Sequence, residues 1–510
     1  MSASAREGPL PGTRATAAEL KAAKASVERP ADRFRRHVLK AIDTLRGRGL
    51  ERTEAFRALF PRTILPEPTY EELIASLVSG AHVLFFGPSG AGKTSLAKDL
   101  WELFPKLVWV VEGCPVLDHP LALVDAAVAA QFPPCPICRR RFAPGGDLSK
   151  FDPTIVDPAR VPAEYVLLRE GFGFARVQGS SEVFPDHLTG NINLRKLEEV
   201  GDPMSPLVFE PGKLLQANRG FLLVDEIGKL PLGTQNVLLQ ALQEGTVTPS
   251  KSRESFPASF VAVATSNLSD LDNINDPLSD RLTSLHVTFN DRHADNCRIV
   301  ALGREPTGDV YVPEILTDAG VRVIEAWRLR MSEENPDVGE VGSNRTLIDV
   351  AERTSAIAVL AGRSVASSAD LRDGLKHAMR GRIRARSGDS FRQNEKRVGD
   401  FIGQYVEPAL RRSAGVYWCR YFTGPLKEQA KDAEALVGEG RRLKDDTALL
   451  AGLAQDGSAF PRFRAFAAYV ADRERPSPGA PTEAAVQVFR LLEEFSLFSC
   501  KEEDRDDAPL

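Results

Sequence analysis

Cysteine is scarce in this sequence, with six in 510 residues. That density cannot build a disulfide scaffold, and it points to a reducing cytoplasm. No apolar run approaches the ~18 residues that a membrane helix needs. The first residues mix charges with small side chains and carry no apolar signal-type stretch, so neither a membrane anchor nor a secretory leader is expected. Neither sign of charge dominates: 65 Lys and Arg stand against 70 Asp and Glu, for a net charge of −5. A global basic field for nucleic acid is therefore missing. A basic patch interleaved with aromatics is missing too, and nucleic acid is not an expected partner. There is no internal repeat.

What is present suits a globular chain, 43% hydrophobic and 26% charged, long enough for roughly three units at ~150 residues each. One stretch organises the rest. His82-Val83-Leu84-Phe85-Phe86 reads as a buried strand, and Gly87-Pro88-Ser89-Gly90-Ala91-Gly92 as a glycine-rich turn. Lys93-Thr94 opens a helix with Leu96, Leu100 and Leu103 on one stripe. The spacing fits G-x-x-x-x-G-K-[ST]. Small residues let backbone N–H groups curl around phosphate oxygens, and the helix adds its partial positive end. Lys93 would reach the β- and γ-phosphates of ATP, and the Thr94 hydroxyl would sit on Mg²⁺.

The second anchor is Phe221-Leu222-Leu223-Val224-Asp225-Glu226, a buried parallel strand ending in two carboxylates. After a phosphate-binding loop, the first carboxylate holds the Mg²⁺ shell and the second polarises the attacking water. Ser259 to Ala264 predicts another buried strand ending at Thr265-Ser266-Asn267. Asn267 either orients that water or makes its own loop turn. Arg281, after Pro277-Leu278-Ser279-Asp280, is either a finger reaching a neighbouring subunit's γ-phosphate or half of a surface ion pair. Arg345 opens a helix and is either a charge over the nucleotide or a solvated helix-start residue.

The remaining segments follow from composition and period. Residues 1–30 are small and polar and read as a disordered arm. Leu107 to Val111 predicts a second buried strand. Cys114, His119, Cys135 and Cys138 could supply four tetrahedral ligands to a structural zinc; the alternative is buried cysteines and a surface histidine. Residues of about 112–210 read as an insertion of loops with a short hairpin or helix. Amphipathic helices follow over 292–385. Residues 386–510 form a further helical region, aromatic early and acidic at its end, with no catalytic motif.

Taken in order, the G-K-T loop, the Asp-Glu strand, the strand tip with Asn267, Arg281 and the helical lid with Arg345 resemble an AAA+ ATPase, over about Leu59 to Arg384. Phe209-Glu210-Pro211-Gly212-Lys213-Leu214-Leu215-Gln216-Ala217-Asn218-Arg219-Gly220 looks like the F-E-P-G-L-L-x-x-A-N-R-G of the magnesium chelatase ATPase subunit. His187-Leu188-Thr189-Gly190-Asn191-Ile192-Asn193-Leu194 is similar to that family's helix-2 insertion. The resemblance implies an α/β fold: a P-loop core with a parallel sheet over 31–291, a helical lid over 292–385, and the added 386–510 region. It makes Gly87 to Thr94 Walker A, Asp225-Glu226 Walker B, Asn267 sensor 1, Arg281 the trans finger and Arg345 sensor 2. It implies a homo-oligomeric ring, typically a hexamer. It also implies a partner chain with a von Willebrand factor A domain, whose D-x-S-x-S signature is not in this sequence. The output would be metal insertion or partner remodelling; the alternative is a MoxR-like remodeller with no chelatase activity. A kinase ranks third, because nothing resembles a substrate-hydroxyl base loop.

Overall fold

The computed structural model describes residues 9–202, 205–249, 252, 254–305, 309–334, 342–380, 390–423, 433–444, 460–476 and 481–499. The expected acidic tail over 501–510, most of the 476–481 linker and the 385/386 boundary lie outside the described residues. The chain divides into two compact units: 1–88 with 92–288, and 289–510 with 89–91.

Among the described residues the first unit holds thirteen strands, which include Arg14–Thr16 (β1), Leu107–Val111 (β3), Pro162–Leu167 (β4), Arg169–Glu170 (β5), Gly190–Ile192 (β7), Phe209–Pro211 (β8), Thr246–Val247 (β10) and Phe256–Pro257 (β11). The others are His82–Gly87 (β2), Gly173–Gln178 (β6), Phe221–Asp225 (β9), Val261–Asn267 (β12) and Leu282–His286 (β13). A six-stranded sheet runs β13-β2-β12-β9-β6-β5, with every pair parallel. Its central strands are runs of Val, Leu, Phe and Ala because helices or loops cover both faces, so no polar side is needed. Helix Lys93–Leu103 buries Leu96, Ala97 and Leu100. Beyond them Trp101 stacks on Phe174 at 4.5 Å, and Phe104 meets Phe221 edge-on at 5.8 Å.

Three expectations meet the structure here. First, the strand expected at Leu107 to Val111 forms as β3, outside the central sheet. It pairs antiparallel with β4 in a separate sheet, β1-β4-β3. Of its apolar run Val108, Val110 and Val111 are buried, Trp109 is half-buried and Leu107 is exposed. Second, residues 9–30 are not an arm. β1 pairs with β4, and the following helix Ala17–Ala22, capped by Thr16 and Glu19, buries Ala17 and Leu20. Third, the expected insertion contributes β6 to the central sheet, next to the Asp-Glu strand.

The second unit is helical. Its helices are His293–Gly303, Glu314–Glu334, Asn344–Leu360, Ser368–Met379, Phe391–Thr423, Ala433–Leu443, Pro461–Glu474 and Pro481–Leu491. The lid and the C-terminal region were expected as separate domains. They share one core instead: Ile315, Trp327, Leu347 and Leu375 pack in the same cluster as Phe401, Tyr417, Phe463 and Phe489. Trp327 meets Phe401 edge-on at 4.7 Å across the expected boundary. Among the described residues, no helix is long and apolar enough to cross a membrane.

Candidate active site

Strands β2, β12 and β9 lie side by side, and the residues at their C-terminal ends make the site. β2 runs into a loop whose Gly87, Gly90 and Gly92 have φ of 148°, 74° and 105°, backbone that L side chains rarely adopt. A Cβ at Gly87 would also lie 2.2 Å from the Val287 carbonyl oxygen. Gly92 directly caps helix Lys93–Leu103, so the free N–H groups and positive end of that helix open onto the loop.

Lys93 is only 7% exposed. Its Nζ donates to the carbonyls of Gly87 at 2.9 Å and Pro88 at 2.8 Å, and to Asn267 Oδ1 at 3.1 Å. β9 delivers Asp225, which is buried. Asp225 Oδ1 accepts from Thr94 Oγ1 at 3.0 Å and Thr265 Oγ1 at 2.6 Å, while Oδ2 accepts from Arg176 at 2.8 Å. Burial alone pushes this carboxyl up. The hydrogen bonds from Thr265, Arg176 and Thr94, with the Arg176 charge, more than offset that and hold it below the ordinary carboxylate range. Glu226 follows at φ 57°. Its backbone N–H donates to Thr265 Oγ1 at 2.9 Å; its carboxylate accepts from Gln178 at 3.0 Å and pairs with Lys229 at 3.1 Å.

The donor chemistry fits a nucleotide and its cation. A hydroxyl and a carboxylate held together offer the hard oxygens that Mg²⁺ takes. Turned backbone, a helix start and a lysine are what a polyphosphate takes.

Of the sequence-predicted residues, the structure brings together Lys93, Thr94, Asp225, Glu226 and Asn267. Arg281 lies exposed between the short helix Asp276–Ser279 and β13. With the Gln243 amide oxygen turned toward it, its guanidinium donates there at 3.3 and 3.2 Å. Arg345 is the second residue of helix Asn344–Leu360 in the other unit, and is exposed. Sequence reasoning missed Arg176, Gln178 and Thr265. The alternation Gly173-Phe174-Ala175-Arg176-Val177-Gln178 was the available signal for the first two, since it is that of a half-buried strand.

The zinc ligand set expected from sequence is also corrected. Cys114, Cys135 and Cys138 do converge, but the fourth group is Asp118. His119 turns away, and its Nδ1 accepts from the Leu121 N–H at 3.1 Å. It caps a 3-10 turn over Pro120–Leu123. Burial, with help from Arg219, pushes its pKa well below the ordinary value. The Asn218-Arg219 pair beside this cluster is a structural tie. Asn218 accepts from Ser259 N–H at 2.9 Å and donates to the Val116 carbonyl at 2.6 Å; Arg219 donates to the Trp109 carbonyl at 2.5 Å.

Part of this chain is similar to known proteins. Residues 80–301 match the family model described as the PrkA AAA domain. The serine/threonine kinase YeaG of Escherichia coli (strain K12) is 27% identical over 234 residues, 40% of this chain and 35% of YeaG. The magnesium-chelatase 38 kDa subunit of Acidiphilium rubrum is 30% identical over 217 residues, 41% of this chain and 53% of the subunit. The chain thus spans about a third to a half of the curated relatives it matches. Among solved structures, the complex of BchI and BchD of magnesium chelatase is 22% identical, with a TM-score of 0.31, covering 63% of this chain and 95% of that one. The class that residues 80–301 match is an α/β AAA+ P-loop domain. Within that class, this chain is related to the ATPase subunits of magnesium chelatase and to PrkA-type AAA domains.

Proposed function

We propose that this chain is an ATP-hydrolysing motor that assembles as a ring and couples hydrolysis to remodelling of a partner protein or to metal insertion. One observation carries the reading: Thr94 and Thr265 both donate to Asp225 Oδ1, while Lys93 donates to Asn267 from the same loop. In this reading the 87–94 loop and Lys93 bind the phosphates. Thr94 and Asp225 would hold Mg²⁺, which would supply positive charge to the phosphate oxygens. Glu226 and Asn267 orient the attacking water. Arg281 of a neighbouring subunit and Arg345 act on the charge that develops at the γ-phosphoryl group. A partner bearing a von Willebrand factor A domain would receive the motion, as the resemblance to chelatase ATPase subunits implies.

The relation to YeaG, named a serine/threonine kinase, supports a second reading, in which a protein hydroxyl replaces water as acceptor. ATP labelled on its γ-phosphate separates the two. The motor reading expects free labelled phosphate and no label on protein. Label accumulating on this chain or a co-purified protein, without matching free phosphate, would overturn it. Native mass of Glu226→Gln with ATP tests the ring: a closed oligomer is expected, and a monomer at saturating ATP would contradict it.

A further inference from the structure

Four groups that the nucleotide site does not use meet behind β3. Cys114 and Asp118 come from the turn after that strand; Cys135 and Cys138 come from the start of helix Pro136–Phe142. One ligand atom from each lies within 4.8 Å of all the others. All four residues are 4% exposed or less. Cys114 Sγ and Cys135 Sγ are 3.9 Å apart; two thiolates on a tetrahedral zinc, each at ~2.3 Å, stand about 3.8 Å apart.

The backbone is arranged for sulfur that carries negative charge. Asp118 N–H donates to Cys114 Sγ at 3.3 Å, and Cys138 N–H donates to Cys135 Sγ at 3.4 Å. Cys135 N–H donates to Asp118 Oδ2 at 2.8 Å and so fixes the carboxylate. These are bonds that hold ligands in place around a metal. Val111, Val116, Leu121 and Leu123 belong to the same core cluster, and the buried Arg219 is the cation beside Asp118 and Cys114. Thiolates and a carboxylate gathered there carry more negative charge than one guanidinium offsets, and a dication held by all four would share it.

We propose that Cys114, Asp118, Cys135 and Cys138 bind one structural zinc ion, which staples the helix Pro136–Phe142 to the turn after β3. Four protein donors fill a tetrahedron and leave no position for substrate, so the site is structural and not catalytic. It shares no residue with the nucleotide site, and its success or failure is independent of the ATPase reading.

The test uses the full chain purified without a histidine tag. Elemental analysis should find about one zinc per chain, retained through gel filtration. Replacing zinc with cobalt should give sulfur-to-cobalt charge-transfer absorption. Asp118→Ala should release zinc at chelator concentrations at least tenfold lower than wild type, while His119→Asn should hold zinc as wild type does. Cys297→Ser, outside the cluster, should leave the cobalt spectrum unchanged. Should the cysteine variants fail to fold, thiol labelling of the intact chain still decides. Cys114, Cys135 and Cys138 should be protected until a chelator is added. Zinc-free protein whose three thiols react at once without chelator would overturn the proposal. Zinc lost from His119→Asn but kept by Asp118→Ala would also overturn it.

Discussion

Asp225 shows how a few neighbours set the state of one carboxyl. It is buried, yet three donors keep it ionised, and Arg176 is the one that brings a full charge. Arg176→Ala removes a charge-assisted bond of about 1.5–3 kcal/mol. Asp225 sits below its ordinary value in the folded chain, so losing Arg176 moves it upward. Activity that needs the carboxylate should then fail at a higher pH. The acid limb of the kcat/KM profile for ATP should shift toward neutral; an unmoved limb would remove Arg176 from the account. The G-K-T loop and the Asp-Glu pair were legible because their spacing is local. Arg176 was not, because strand order alone brings Gln178 opposite Asp225, and one sequence does not reveal strand order. His293 in the second unit gives a separate prediction. Burial pushes it down, but bonds with Asp318 at 2.7 Å, Cys297 and Glu325 at 2.8 Å more than offset that, raising it to about 11. A raised histidine stabilises the fold fully below pH 6.5. That stability falls by about 1.4 kcal/mol per pH unit above it and is gone as pH passes about 11. His293→Gln should cost on the order of several kcal/mol at pH 6 and flatten the decline in thermal midpoint from pH 7 to 9. An equally steep decline in the variant would contradict the assignment.

At the scale of elements, apolar runs predicted strands well and their partners poorly. Val83 to Phe85 and Phe221 to Val224 are buried on both faces and entered the central sheet. Leu107 to Val111 has the same composition but pairs with β4 in the second sheet. A run of five apolar residues does not state which sheet it joins. The N-terminal stretch was misread for a different reason. Its composition is that of a disordered segment, but Leu20 is 4% exposed and the strand Arg14–Thr16 completes the edge of β4. Leu20→Ala should therefore destabilise the first unit by about 2–3 kcal/mol, read by chemical denaturation. A change below about 0.5 kcal/mol, the usual surface value, would mean that the segment does not dock.

For the whole molecule, the informative fact is that the lid helices and the C-terminal helices have one core. Amphipathic stripes predicted the helices on either side of residue 386, but a stripe does not name the face it packs against. Removing residues 386–510 would bare Trp327, which meets Phe401 edge-on at 4.7 Å in the shared cluster. A chain ending at 385 should be insoluble or lack a cooperative unfolding transition for its second unit. A truncated chain that melts cooperatively with full ATP turnover would restore the two-domain division. In the proposed mechanism the two carboxylates after β9 divide the work: Asp225 would hold the cation and Glu226 would orient the water. The most direct measurement is nucleotide affinity and phosphate release, side by side, for the wild type, Asp225→Asn and Glu226→Gln. Glu226→Gln should bind ATP within a few-fold of wild type and release phosphate at least 100-fold more slowly, while Asp225→Asn should lose the Mg²⁺-dependent part of its affinity. Wild-type phosphate release from Glu226→Gln would contradict the account.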